Sequence, residues 1–182
     1  MRSIFPRSRL ARRFAGDARG VSAVEFALVL PLMMTLYLGG TEVSQAIAAS
    51  RKATLVSRTV ADLASQVSSI SSSEMTNILN ASSAIVSPFS PDKLKVTVSC
   101  VTIDANGKAT ISWSQTLNGT VHGTGSSVTL PAALAVPNTS LIWGEAQYDY
   151  TPAIGYVLTG TLTLKDQIYM RPRLSDTVTY PS

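Results

Sequence analysis

The run GVSAVEFALVLPLMMTLYLGG, Gly20 to Gly40, decides how the rest of the chain is read. From Phe26 to Thr41 it carries no charged residue. With Val21–Val24 and the single Glu25 it amounts to about 21 residues, enough to cross a hydrocarbon core of roughly 30 Å as a helix. Pro31 falls inside it, which a membrane helix tolerates where neighbouring groups satisfy the freed carbonyl. Glu25 is the anomaly. A carboxylate in so apolar a segment is costly, and its presence points to a function and a partner.

Charge places the flanks. Residues 1–20 hold six arginines, Arg2, Arg7, Arg9, Arg12, Arg13 and Arg19, against the single acid Asp17. The rest of the chain is close to neutral, with nine basic and ten acidic residues. The pI of 9.4 therefore describes a short basic leader. A folded part without a basic excess argues against nucleic acid as a partner. Arginines beside an apolar segment stay on the cytoplasmic side, so Arg12, Arg13 and Arg19 predict a cytoplasmic N-terminus with the remainder on the far side of the membrane.

A cut after Gly20 would make Val21 the new N-terminus and Glu25 the fifth residue. The fresh α-amino group could then neutralise a carboxylate on an adjacent helix. Three other readings compete. An ordinary signal peptide would end at the small-x-small site Ala46-Ile47-Ala48, although Glu25 and Glu42 interrupt it. Twin-arginine export would use Arg12-Arg13-Phe14, in poor flanks. An uncleaved anchor would leave Glu25 unexplained.

The order Arg19-Gly20-Val21-Ser22-Ala23-Val24-Glu25-Phe26 resembles the prepilin (class III) signal, in which a basic leader ends in glycine and glutamate stands fifth in the mature chain. With the following Ala27-Leu28 and Pro31 it is similar to the TadE/TadG-like family of tight-adherence (Tad) pilus biogenesis proteins. Tyr148-Asp149-Tyr150-Thr151-Pro152 and Arg171-Pro172-Arg173 resemble that family's late motifs. The lone Cys100 departs from it, since many relatives carry paired cysteines. The resemblance implies a minor pilin, or pseudopilin, in a bacterial inner membrane. A prepilin peptidase would cut at Gly20. Val21, Glu25 and Phe26 would serve assembly with other pilin-like subunits and the Tad secretion machinery, and the domain would be periplasmic or carried into a surface pilus.

Beyond Gly40 the helical period persists: Val56, Val60, Leu63, Val67 and Ile70 mark one face. One helix is expected from Ser22 to about Gln66, with a possible bend at Gly39-Gly40 and an outer half packed on a sheet. Ser68–Ser73 should break it, and Ser73 before Glu74 should cap a second helix running to about Ile85. The period then changes to two. Leu94–Ile103 reads as a strand, Asp104-Ala105-Asn106-Gly107 as a hairpin turn, and Lys108 to about Leu117 as its partner. Asn118–Ser127 reads as an exposed loop, Pro131–Leu134 as a helical turn, and Ser140–Thr151 and Leu162–Arg171 as strands. Asp176–Tyr180 reads as a short edge strand.

The expected fold class is α+β: a long transmembrane-plus-amphipathic helix on an antiparallel sheet of four or five strands. The expected divisions are a leader (1–20), a span (21–41), an amphipathic region with a short second helix (42–91) and an extracytoplasmic β domain (92–182). With one His, one Cys and scattered acids, the sequence shows no Ser-His-Asp, Cys-His or histidine-rich metal set, so neither enzyme activity nor a cofactor is expected. Cys100 reads as a buried thiol, with an intermolecular bridge as the alternative, and His122 as a loop residue. A calcium site gathering Asp104, Glu145, Asp149 and Asp166 is a remote option. The rival function is an exported or anchored binding module working through the sheet and loop 118–127.

Overall fold

The apolar run and the amphipathic stretch form one continuous helix, α1 (Ala18–Ser65), 48 residues long and passing through Pro31 and Gly39-Gly40. At 1.5 Å per residue it extends about 72 Å. The computed structural model describes residues 18–181; Arg12 and Arg13, and the other leader residues before Ala18, lie outside the described residues. Backbone at Arg19 belongs to the first turn of α1. Every residue from Gly20 to Tyr37 is exposed, whereas the outer half of the helix is built into a domain.

A second helix, α2 (Ser72–Ile85), follows. Its cap is Ser71, not Ser73: the Ser71 hydroxyl accepts the Glu74 N–H, and the Glu74 carboxylate accepts the Ser71 N–H at 2.8 Å. This reciprocal pairing places Glu74 at the third helical position, the spacing a capping box needs. A single 3-10 turn (Pro91–Lys93) leads into the sheet.

The strands are β1 (Leu94–Ile103), β2 (Ala109–Leu117), β3 (Ser127–Val128), β4 (Thr139–Tyr150) and β5 (Leu162–Met170). They lie in the order β3-β2-β1-β4-β5, each neighbouring pair antiparallel. A long helix packed on a five-stranded antiparallel sheet is a pilin-like α+β architecture. In the β1–β2 turn Gly107 takes φ 79°, and Asp104 Oδ1 accepts the N–H groups of Asn106 and Lys108. The asparagine–glycine signal thus operates through an aspartate-closed turn.

Expectation and structure part at three places. The fifth strand is β3, from the end of the segment expected to be loop, and residues 176–180 form no edge strand. That tail instead straps the end of α1: Ile70 N–H donates to Thr179 O at 2.9 Å, Thr179 N–H to Ser68 O at 3.0 Å, and Trp113 Nε1 to Val178 O at 2.7 Å. These bonds satisfy its backbone groups without a sheet neighbour. Second, the helix face on the sheet is made of small residues. Ala49, Ala53, Val56, Ser57, Val60, Ala61 and Ala64 are buried, whereas Leu63 points outward at 37% exposure and the helix ends before Val67 and Ile70. Third, the sheet has two apolar faces. The main core lies under α1. A smaller cluster of Val101, Ile103, Ala109, Ile111 and Leu141 lies on the far side, covered by Val128, Leu130 and Leu134. A bulge makes this possible: Cys100 pairs with Trp113 but Val101 pairs with Ile111, leaving Ser112 as the extra residue. Ile111 and Trp113 therefore face opposite sides of the sheet.

Candidate membrane anchor

Among the described residues, α1 is the one helix long and apolar enough to cross a membrane. From Gly20 to Tyr37 its apolar part is exposed among the described residues: Val21 is 60% exposed, Phe26 61% and Leu28 74%. Gly20 has open space around its Cα, and Glu25 is exposed on the same bare stretch. The structure thus places Gly20, Val21, Glu25 and Phe26 on an accessible helix, exposed among the described residues.

What it does bring together is a contact the sequence reading missed. Glu42, one residue past the uncharged run, is buried, and its carboxylate accepts three consecutive backbone N–H groups of the β4–β5 loop: Tyr156 at 2.8 Å, Val157 at 2.9 Å and Leu158 at 2.9 Å. A carboxylate so bonded is favoured in its charged form, and the N–H groups of Leu158 and then Tyr156 hold its pKa below the ordinary value, with desolvation opposing them. Gly39, one turn earlier, makes room for the loop: a Cβ there would stand 2.9 Å from Val157 Cγ2. Farther along, Tyr156 Oη lies 3.4 Å from Thr35 Oγ1. The visible signal was an acid three residues after a glycine at the end of an apolar run. Its partners lie 114 to 116 residues away, beyond any local pattern.

On the sheet face away from α1, an open groove of about 720 Å³ is lined by Lys95, Thr97, His122, Glu145, Gln147 and their neighbours. Lys95 Nζ contacts Asp149 Oδ2 at 2.8 Å, and this bond leads the causes that lower the Asp149 pKa. His122 lies in a loop, as expected, with Nε2 2.5 Å from Glu145 Oε2 and its ring stacked on Trp143 at 4.6 Å. The four acids weighed as a calcium set are dispersed. Asp104 closes the hairpin turn, Asp166 accepts from Ser57 on the helix side, and Glu145 and Asp149 are engaged on the outer face. Among the described residues no group of three or more His, Cys, Asp or Glu could hold a metal ion. Cys100 is buried as expected, beside Thr177 Oγ1 at 3.7 Å, and burial raises its thiol pKa.

Comparison with known families finds a match to the TadE-like protein model over residues 20–62. No curated protein and no solved structure matches the chain. The matched stretch starts at Gly20, covers the bare apolar run and Glu42, and continues onto the face packed against the sheet. The similarity to the TadE-like family thus lies along α1, over residues 20–62.

Proposed function

We propose that this chain is a membrane-anchored, pilin-like assembly subunit of a Tad-type pilus system. The observation that carries the reading is the division of α1. One half is an exposed apolar rod bearing a single acid, and the other half is the spine of a β domain. Residues 21–41 span a bacterial inner membrane once. Arg12, Arg13 and Arg19 hold the leader in the cytoplasm, and residues 42–182 lie on the periplasmic side.

A prepilin peptidase cuts after Gly20, and the exposed Gly20–Val21 link on a bare helix suits a membrane-embedded protease. Glu25 then pairs with the Val21 α-amino group of a neighbouring subunit, while Phe26 packs between helices, so that the protein initiates, primes or caps the filament with other pilin-like subunits and the Tad secretion machinery. The rival cut before Ala49 is disfavoured physically: Ala49 is wholly buried against the domain, so such a cut severs the spine helix and removes Glu42 from its loop.

Mass spectrometry of the protein isolated from its native membrane tests this. Val21 as the first residue is the expected result. Ala49 as the first residue overturns the pilin reading, and an intact leader replaces processing with an uncleaved anchor.

A further inference from the structure

We infer that the β4–β5 loop, residues 151–161, is a second membrane contact, seated in the headgroup and upper acyl region of the same bilayer that α1 crosses. The inference rests on the anchor reading and adds to it a surface of the β domain.

Three observations place the loop there. It carries no charge: the chain is uncharged from Tyr150 to Leu164, between Asp149 and Lys165. Its apolar side chains face outward, with Ile154 and Tyr156 each 56% exposed and Val157 47%. And it is fastened to α1 at the level of the apolar run, by Glu42 to the N–H groups of residues 156–158, by Val157 against Gly39, and by Tyr156 Oη near Thr35. Thr35 lies seven residues before Glu42, or about 10 Å along the helix. The loop thus descends beside the membrane segment to the level of Thr35, where the following Leu36 and Tyr37 are exposed.

An exposed apolar loop in that position continues the surface of the membrane helix, and its occupant is lipid. Tyrosine is suited to the interface because its ring is apolar and its hydroxyl polar, and apolar groups at this boundary settle about 5–10 Å below the headgroups. The Glu42 carboxylate satisfies three loop N–H groups that would otherwise enter a region poor in water. The contact fixes the depth and tilt of the domain over the bilayer, as one helix alone does not.

The test uses the full-length protein in nanodiscs of phosphatidylethanolamine and phosphatidylglycerol, with a spin label at Ile154→Cys in a Cys100→Ala background. Should that background fail to fold, Cys100 is retained, since it is buried and the label is directed to the exposed site. The measurement is accessibility to oxygen against a water-soluble nickel complex, with labels at Leu30→Cys and Asn106→Cys as references. The expected result is an oxygen-to-nickel ratio at 154 several-fold above that at 106, in the hairpin at the opposite end of the sheet. A ratio at 154 equal to that at 106 overturns the inference, as does exclusion of both probes, which would mean a protein neighbour covers the loop. A lipid-exposed label at 30 beside a water-exposed label at 154 leaves the anchor standing and sinks only the loop contact. A water-exposed label at 30 sinks the anchor itself.

Discussion

Gly144 on β4 stands directly against Ala61 on α1: a Cβ placed on Gly144 would lie 2.8 Å from the Ala61 Cβ and 2.6 Å from the Ser57 carbonyl oxygen. Helix and strand meet backbone to backbone here, which the small residues of the helix face permit. Neither neighbour is the tip of a flexible side chain, so added volume must push the helix away from the sheet. Gly144→Ala is expected to lose about 1–3 kcal/mol of stability. Gly123→Ala, with nothing within 4 Å of the added carbon, should be close to neutral. Chemical denaturation of both variants in detergent micelles compares them, and a Gly144→Ala protein as stable as wild type would refute the close contact.

That same contact marks the limit of what the sequence discloses. The existence of α1 was legible because an uncharged run flowed into a 3.6-residue period, and β1 and its turn were legible from the alternation of Leu94 to Cys100 and the Asn106-Gly107 signal. The face of α1 on the sheet was legible only at Val56 and Val60, because Ala49, Ala53, Ala61 and Ala64 carry little hydrophobic signal, while the larger Leu63 misled. A glycine inside the aromatic strand β4 was the available clue to close backbone approach. The strap of residues 176–180, the bulge at Ser112 and the two-residue β3 depend on partners distant in the chain or too short for a period. At the candidate site, Gly20, Val21, Glu25 and Phe26 could be picked out by pattern, whereas Glu42 acquires meaning only when the 151–161 loop is folded against it.

Glu42 should give the protein an acid-sensitive joint. Its folded-state pKa is lowered from 4.5, chiefly by the Leu158 and Tyr156 N–H groups. The stability it contributes is present above the ordinary glutamate range and is lost as pH falls through the lowered value. Asp149, held down by Lys95, and Glu74, held down by Ser71, act in the same direction. The wild-type melting temperature is therefore expected to drop as pH falls below about 4.5. Glu42→Gln should melt lower at neutral pH and show a partly flattened acid limb. An unchanged slope in the variant would place the acid sensitivity elsewhere.

Tyr150 offers a substitution that should cost nothing. Its hydroxyl is buried with no hydrogen-bond partner among the described residues, and its ring meets Phe89 edge-on at 6.3 Å. Burial first, and then the Glu42 charge, raise its phenol pKa. A buried polar atom left unpaired is a liability that its removal relieves. Tyr150→Phe keeps the ring contact and is expected to match or exceed wild-type stability, by up to about 1 kcal/mol. A clear loss would reveal a partner for the hydroxyl.

Trp113 is the opposite case. Its indole N–H donates to Val178 O at 2.7 Å, and its ring packs on Tyr180 at 5.6 Å, so one side chain ties β2 to the C-terminal strap. Trp113→Phe leaves a buried carbonyl without its donor and is expected to cost about 1–3 kcal/mol. The loss should be accompanied by faster amide exchange at Ile70 and Thr179, which bond across the strap. Destabilisation without faster exchange there would assign the loss to packing alone.

Glu25 separates stability from assembly. It is exposed on the bare part of α1, and the 17 positions to Glu42 place it about 26 Å down the helix from the β domain. Nothing in the domain rests on it, so Glu25→Ala and Glu25→Gln should both melt like wild type. A carboxylate in a membrane helix costs up to roughly 2.5–3.5 kcal/mol at the centre on insertion scales, and less at Glu25, which is fifth in the 21–41 span, so both variants should insert at least as well. If the charge is kept for pairing with a neighbouring Val21 amine, both should nevertheless lose filament formation and cross-linking between adjacent N-termini. The glutamine variant is decisive because it preserves size and hydrogen bonding while removing charge. Filaments counted by electron microscopy on cells expressing each variant provide the measurement, and normal piliation with Glu25→Gln would exclude the charge pair as the reason this residue sits in an apolar helix.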